Sequence, residues 1–214
     1  DHTVQLLRHI PASAGPMHAL RTAISYIGCL LVDADEISPQ MLRRHGLSLL
    51  AKMPTIVAYF DRLRKDLPLL LPDPNLGLAE NFLYMLNGEK PNETMTHALD
   101  VCLIIHADHG LNASTFTARV VSSTMSDLFS SISAAIGSLK GPLHGGANER
   151  VMSLIREIGE IDKVDNHIRG MVARKEKVMG FGHRVYKTHD PRATYLKTMA
   201  KDLAEQTGHE HLYE

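Results

Sequence analysis

The sequence is poor in cysteine. Cys29 and Cys102 stand 73 residues apart, each inside an apolar segment. Two such thiols cannot frame a disulfide scaffold, and as buried free thiols they fit a reducing compartment, so cytoplasmic residence is the expectation. Net charge is also missing. Lys plus Arg number 23 against 24 Asp plus Glu, which excludes electrostatic binding of nucleic acid, because that needs a basic footprint. No run is long enough for a bilayer, since residues 24–32 form the longest mainly apolar stretch and a span needs about 20 residues. Repeats of 20 to 50 residues, basic runs and low-complexity tracts are absent too, which excludes a helical solenoid. Disorder is excluded by an apolar fraction of 44% beside a charged fraction of 22%. Tryptophan is absent, while histidine occurs 13 times, and histidine titrates near neutrality.

Strand signals are nearly absent and helix starts are frequent, which predicts an all-α fold. Ser38-Pro39 and Asp190-Pro191 each pair an N-cap with Pro at the first helical position. Residues 41–51 and 53–67 read as two segments, the second with Ile56, Val57, Phe60, Leu63 and Leu67 at spacings that share one helix face. Another segment opens at Pro91-Asn92-Glu93. Its stretch 101–105 is apolar all round and predicts a helix buried on most sides. Residues 114–125, 127–139, 148–159 and 190–205 follow as helical, while 70–77, with Pro72 and Pro74, reads as a surface loop. Gly46, Gly88, Gly110 and Gly208 read as punctuation. The Gly/Pro-rich turn 140–146 separates long apolar helices from a more charged stretch. The expected division is 1–143 in a large helical domain and 144–214 in the first part of a smaller one.

Three histidines have unusual settings. His106-Ala107-Asp108-His109-Gly110 ends an apolar helix, where the dipole favours a cation. The alternative there is C-capping, with Gly110 breaking the helix. A metal site from His106, Asp108 and His109 lacks a further ligand at a usual spacing, so no metal is expected. His144 is followed by Gly145-Gly146 just ahead of a helix. Glycine lets another molecule approach the backbone, and helix-start N–H groups suit an acyl or carboxylate oxygen; the alternative is an ordinary turn. Gly180-Phe181-Gly182-His183 sets an imidazole beside a backbone-exposed loop, with Lys187 and Arg192 after it. Lys suits phosphate as a point charge, and Arg suits carboxylate through its planar fork. A solvated basic loop is the alternative.

Together the motifs resemble the citrate synthase family, in its shorter bacterial branch that includes 2-methylcitrate synthases. The resemblance rests on Gly-Pro-Leu-His-Gly-Gly-Ala-Asn at 141–148, and on Gly-Phe-Gly-His-Arg-Val-Tyr-Lys with Asp-Pro-Arg at 180–192. It rests also on Asp-His-Gly-Leu-Asn-Ala-Ser-Thr-Phe-Thr-Ala-Arg at 108–119, and more loosely on Pro-Met-His-Ala-Leu-Arg-Thr-Ala at 16–23. These follow the family's order and span essentially the whole chain.

The resemblance implies condensation of acetyl-CoA with oxaloacetate to citrate and CoA, with acyl-CoA as co-substrate and no permanently bound cofactor. It implies that His144 hydrogen-bonds the thioester oxygen of the enol or enolate, and that His183 supplies a proton at the oxaloacetate carbonyl. His109 would hold oxaloacetate, and Arg192 would pair with a substrate carboxylate. Val178, Met179, Gly180, Phe181 and Gly182 would meet CoA through their backbone, with Lys187 near its phosphates. Imidazole suits both proton transfer and hydrogen-bond donation near pH 7. The rings of His109, His144 and His183 are expected in one cleft, within about 10 to 12 Å of one another, the scale of a small-ligand pocket. A two-domain closure over the substrates and a homodimer covering the apolar helices are expected as well.

Two departures from the family pattern stand out. The family's catalytic base, an Asp, and its later substrate-clamping Arg residues are expected beyond Glu214. The chain therefore reads as an internal piece of about half the family length, inactive by itself. His18 stands where the family has an acidic residue and is left without a role. Two alternatives remain beside citrate formation: 2-methylcitrate synthesis from propionyl-CoA, and a non-catalytic CoA-binding protein of the same fold.

Overall fold

The computed structural model describes residues 2–107, 110–182 and 188–213. Among the described residues there are eleven α-helices and no strand, so the all-α reading holds. In chain order they are α1 (His2–His9), α2 (Pro16–Leu30), α3 (Pro39–Arg64), α4 (Leu78–Asn87), α5 (Glu93–Ala107), α6 (Ala113–Ser122), α7 (Leu128–Leu139), α8 (Gly146–Ile158), α9 (Val164–Ala173), α10 (Pro191–Thr207) and α11 (Glu210–Tyr213), with a 3-10 turn at Ile161–Lys163 before α9. None of the helices is long and apolar enough to cross a membrane. Four of the starts are capped as their residues predict. Ser38, Asn112 and Asp127 accept a hydrogen bond from the backbone N–H three residues on, and Asp190 from that of Arg192.

The helices sort into two compact units that are not linear in sequence. One comprises Asp1–Asn92 with Asp108–Lys140, the other Glu93–Ala107 with Gly141–Glu214. The first holds the main core. Ala19, Ala23, Ile24 and Ile27 of α2 meet Leu49, Ile56 and Phe60 of α3 and Phe129 and Ile136 of α7. Phe129 seats directly on α2 because position 28 is glycine: a Cβ there would lie 2.9 Å from the Phe129 Cβ. The edge of the Phe129 ring faces His45, with centroids 5.3 Å apart. His45 is buried and donates from Nε2 to the carbonyl of Asp33 at 3.2 Å.

Three expectations need correction. Residues 39–64 form one helix rather than two segments, with Pro54 inside it. A proline mid-helix removes one hydrogen bond and costs about 3 kcal/mol. Here Leu49, Met53, Ile56 and Phe60 continue a single apolar stripe across the proline, and burial of that stripe offsets the loss. Gly46 accordingly lies inside this helix. Helix α5 is not buried on most sides of the chain: Ala98 alone is buried, and Leu103 and Ile104 are 42% and 62% exposed. Its apolar flank exceeds the surface that α10 covers. Finally, Cys29 is exposed and Cys102 half-buried, so the thiols are free but not both interior.

The second unit has a thin core. Ala98 of α5 and Ala204 of α10 are its buried residues among those described. Two small side chains let these helices approach, and Gln206 donates from Nε2 to Thr94 Oγ1 at 2.9 Å. In α8, Val151, Leu154, Ile155 and Ile158 share one half-buried face.

Candidate active site

The segment that precedes α8 winds directly into the helix. The Gly141 carbonyl accepts from the N–H of His144 at 2.9 Å and of Gly146 at 3.2 Å. The N–H of Ala147 donates to His144 O at 3.1 Å, and that of Asn148 to Gly145 O at 3.3 Å. The turn therefore consumes helix-start donors that could have met an acyl oxygen, and the polar chemistry of this turn passes to the half-buried imidazole of His144. Gly145 has φ −61° and ψ −29°, a region open to any residue. Its lack of a side chain is thus not a conformational need.

The stretch after α9 is pinned at its base. Arg174 N–H donates to Gly170 O, Lys175 takes a left-handed φ of +58°, and Glu176 N–H donates to Met171 O at 2.9 Å. Arg174 then grips Glu176 with a bidentate pair, Nε to Oε1 at 2.7 Å and Nη2 to Oε2 at 2.9 Å. The hydrogen bond from that guanidinium, aided by its charge and by His167, outweighs desolvation and holds the Glu176 carboxyl below the usual range. Beyond this anchor, Phe181 N–H reaches back to Val178 O at 3.4 Å. Gly180 sits at φ +92° and Gly182 at φ +81°, conformations that L side chains rarely adopt. The Phe181 ring between them is 81% exposed. A Cβ on Gly180 would lie 3.3 Å from Val151 Cγ2. The glycine loop thus rests on the second turn of the helix that His144 precedes, and two of the three motif segments share α8.

At the start of α10, Asp190 is the N-cap and Pro191 follows it. Asp190 Oδ1 accepts from the backbone N–H of Arg192 at 2.9 Å. The same carboxylate takes the guanidinium side-on: Nε lies 3.0 Å from Oδ1 and 3.2 Å from Oδ2, and Nη2 lies 2.7 Å from Oδ2. Sequence reasoning gave Asp190 the cap alone and missed this second grip. A guanidinium two residues past a carboxylate cap was the signal for it.

His109, His183 and Lys187 lie outside the described residues, and so does the expected convergence of the three imidazoles. Asp108 of the metal alternative lies outside them too. Its described member, His106, has Nδ1 2.6 Å from Cys102 O and 3.7 Å from Cys102 Sγ. Among the described residues no group of three His, Cys, Asp or Glu side chains is placed to hold a metal ion. His18 is exposed on the first turn of α2.

Residues 1–214 match the family described as "Citrate synthase, C-terminal domain". The chain is 55% identical over 199 residues to a protein of Bacillus subtilis (strain 168) named citrate synthase 2, which covers 93% of this chain and 54% of that protein. It is 47% identical over 194 residues to a 2-methylcitrate synthase of Mycobacterium tuberculosis (strain ATCC 25618 / H37Rv), covering 91% of this chain and 49% of that one. The fold is similar to citrate synthase from Thermoplasma acidophilum in ternary complex with carboxymethyl coenzyme A and oxaloacetate, with TM-score 0.92, 31% identity, and coverage of 100% of this chain and 56% of that one. The chain spans about half the length of the curated relatives it matches. Motif order, all-helical architecture and full-length agreement in both sequence and structure lead to one conclusion: this chain belongs to the citrate synthase family.

Proposed function

We propose that the protein containing this chain condenses acetyl-CoA with oxaloacetate and releases citrate and CoA. The difficult step is removal of a proton from the acetyl methyl group. The enol or enolate that results is stabilised only by donors already aimed at its oxygen. In this reading His144 donates that hydrogen bond. His183 protonates the oxaloacetate carbonyl oxygen as the new carbon–carbon bond forms, and His109 and Arg192 hold the keto-diacid. The segment from Val178 through Met179, Gly180, Phe181 and Gly182 meets CoA with Lys187 near its phosphates.

The observation that carries the proposal is the shared seat on α8. The His144 turn leads into the helix, and the Gly180 turn rests against Val151 two turns along it. A thioester lying along the glycine loop would bring its acyl end toward the imidazole. The division into a large helical domain, 1–143, and a smaller one from 144 is proposed as the frame for this chemistry. The unit boundary at Lys140 supports it, while α5 groups with the later residues. A homodimer is proposed because Phe116 and Val120 present a 57% and 50% exposed apolar pair on α6. Cytoplasmic residence is proposed from the free thiols.

The second reading replaces acetyl-CoA by propionyl-CoA, and similarity to a protein named 2-methylcitrate synthase favours keeping it. One experiment serves both. The full-length protein is given oxaloacetate with either acyl-CoA, and CoA release is followed. Turnover with acetyl-CoA is expected, and the ratio of kcat/KM for the two thioesters decides between the readings. His144→Ala is expected to lower the condensation rate about 100-fold, the usual effect of losing one oxyanion donor. Silence with both thioesters, or an unchanged rate in H144A, would overturn the proposal.

A further inference from the structure

The C-terminal ends of α1 and α3 border a cavity of about 750 Å³. That volume lies within the roughly 300–1,000 Å³ of small-molecule sites. Both helices belong to the same compact unit. Buried Leu7 and Phe60 line the cavity beside the more open Ile10, Leu63 and Leu67. Its borders are held by the chain's own bonds. The N–H of Ile10 donates to Leu7 O at 3.3 Å, that of Asp66 to Leu63 O at 3.2 Å, and that of Leu67 to Arg62 O at 2.9 Å. Arg62 Nε also donates to Pro68 O at 2.6 Å, which fixes the far side of the same turn.

The cations around this cavity differ in what they already hold. Arg62 spends its donors on the carbonyls of Pro68 and Leu86, and Lys65 pairs with Asp61 at 2.6 Å. Arg8 and Arg64, both of which line the cavity, do neither: among the described residues their guanidinium groups have no carboxylate, carbonyl or ring partner. Asp66 lines the cavity too, yet it forms no ion pair with either of them. His9 donates from Nδ1 to Gln5 O at 2.7 Å, which leaves Nε2 as the ring nitrogen available to a ligand.

A cation in the last turn of a helix is an ordinary partner of the dipole, and one alone carries no further meaning. Here two unpaired guanidinium groups from different helices border one concavity, next to apolar side chains that are only partly covered. Each guanidinium presents a planar fork of donors that matches an oxyanion. A phosphate monoester is close to doubly charged near pH 7, so its charge matches the pair, whereas a single carboxylate matches half of it.

We propose that this cavity binds a small organic phosphate. The phosphate lies between Arg8 and Arg64, and the apolar body covers Ile10, Leu63 and Leu67. The site is independent of the chemistry read for His144 and the glycine loop.

The test is calorimetric titration of the full-length protein with phenyl phosphate at about pH 7.5, where the monoester carries both charges. Saturable binding is expected. Arg8→Gln and Arg64→Gln are each expected to raise Kd about 10-fold or more, the effect of losing a charged hydrogen-bond partner. Arg64→Lys keeps the charge without the fork, and an intermediate rise is expected. All three changes fall on exposed side chains, so unfolding midpoints are expected to stay within about 2 °C. Inorganic phosphate is expected to bind about 10-fold more weakly, because it covers none of the apolar side chains. Benzoate, with one charge, is expected to bind more weakly as well. Absence of saturable binding by phenyl phosphate, or a Kd that either glutamine variant leaves unchanged, overturns the proposal. Equal affinity for inorganic phosphate overturns the organic body, and equal affinity for benzoate overturns phosphate as the ligand class.

Discussion

Val151 Cγ2 stands 3.3 Å from where a Gly180 Cβ would be, and Gly180 itself has φ +92°. Both facts forbid a side chain at that turn without movement. Gly180→Ala is expected to disturb the loop by at least about 1 kcal/mol, the order of the left-handed penalty for an L residue. In the full-length protein, KM for acyl-CoA is expected to rise with KM for oxaloacetate little changed. Adding Val151→Ala relieves the contact but not the backbone strain, so rescue is expected to be partial. Complete rescue would show that crowding alone had mattered.

Two glycines inside helices of the first unit predict opposite outcomes. Gly28→Ala places a methyl 2.9 Å from Phe129 Cβ and 3.1 Å from its Cγ, and overpacking of this kind costs about 1–3 kcal/mol. Gly46→Ala, in α3, meets nothing within 4 Å. It gains up to about 1 kcal/mol of helix propensity. Thermal unfolding of the full-length variants is expected to show a lower midpoint for G28A and an unchanged or higher one for G46A.

Arg62 is 5% exposed at the end of α3. Its Nε donates to Pro68 O at 2.6 Å and its Nη1 to Leu86 O at 3.3 Å, in the last turn of α4, where carbonyl dipoles favour a cation. Arg62→Ala strands these carbonyls and is expected to cost about 2–4 kcal/mol, from charged hydrogen bonds and unpaired acceptors together. Arg62→Lys is expected to rescue poorly, because a point charge cannot span two divergent acceptors. Denaturant midpoints of the two variants check the ranking.

Asp127 predicts an acid-sensitive step. Burial pushes its carboxyl upward, but hydrogen bonds from the Ser130 side chain, the Ser130 N–H and the Phe129 N–H outweigh it, and the net shift is downward. A depressed folded-state value means stability that is present above the unfolded carboxylate range and is lost as pH falls through the folded value. Asp127→Asn keeps a good N-cap, so stability near pH 7 is expected to change little. Asp127→Ala is expected to lose about 1 kcal/mol there. Both variants are expected to flatten the acid limb of a plot of stability against pH; a limb as steep as in the parent would assign the sensitivity elsewhere.

Much of the helical framework was legible because it is written locally. Ser38, Asn112, Asp127 and Asp190 act at helix starts through bonds to neighbours two or three residues away, so residue type and position suffice. Gly88 and Gly208 cap helix ends with φ +97° and +68°, as punctuating glycines do. The split between 41–51 and 53–67 misled, because the helix runs on through Pro54 on a buried stripe whose partners lie on other helices. The all-round apolar stretch 101–105 misled for a related reason: composition records what a helix can bury, not what this chain supplies to cover it. Around the candidate site, the motifs named the segments but not their contacts. The rest of Gly180 on Val151 and the double grip of Asp190 depend on a turn against a distant helix and on one side-chain orientation.

The grouping of Glu93–Ala107 with the residues after Gly141 bears on how the chain assembles during synthesis. Residues 1–92 include most of the buried cluster, but α7, which completes it with Phe129 and Ile136, comes only after α5. Helix α5 meanwhile reaches solvent before α10, its packing partner, and Gln206 is made 112 residues after Thr94. A pairing so distant along the chain is slow to form, and the waiting surface is prone to wrong associations. Ribosome pausing or chaperone engagement between residues 107 and 206 would act on this interval.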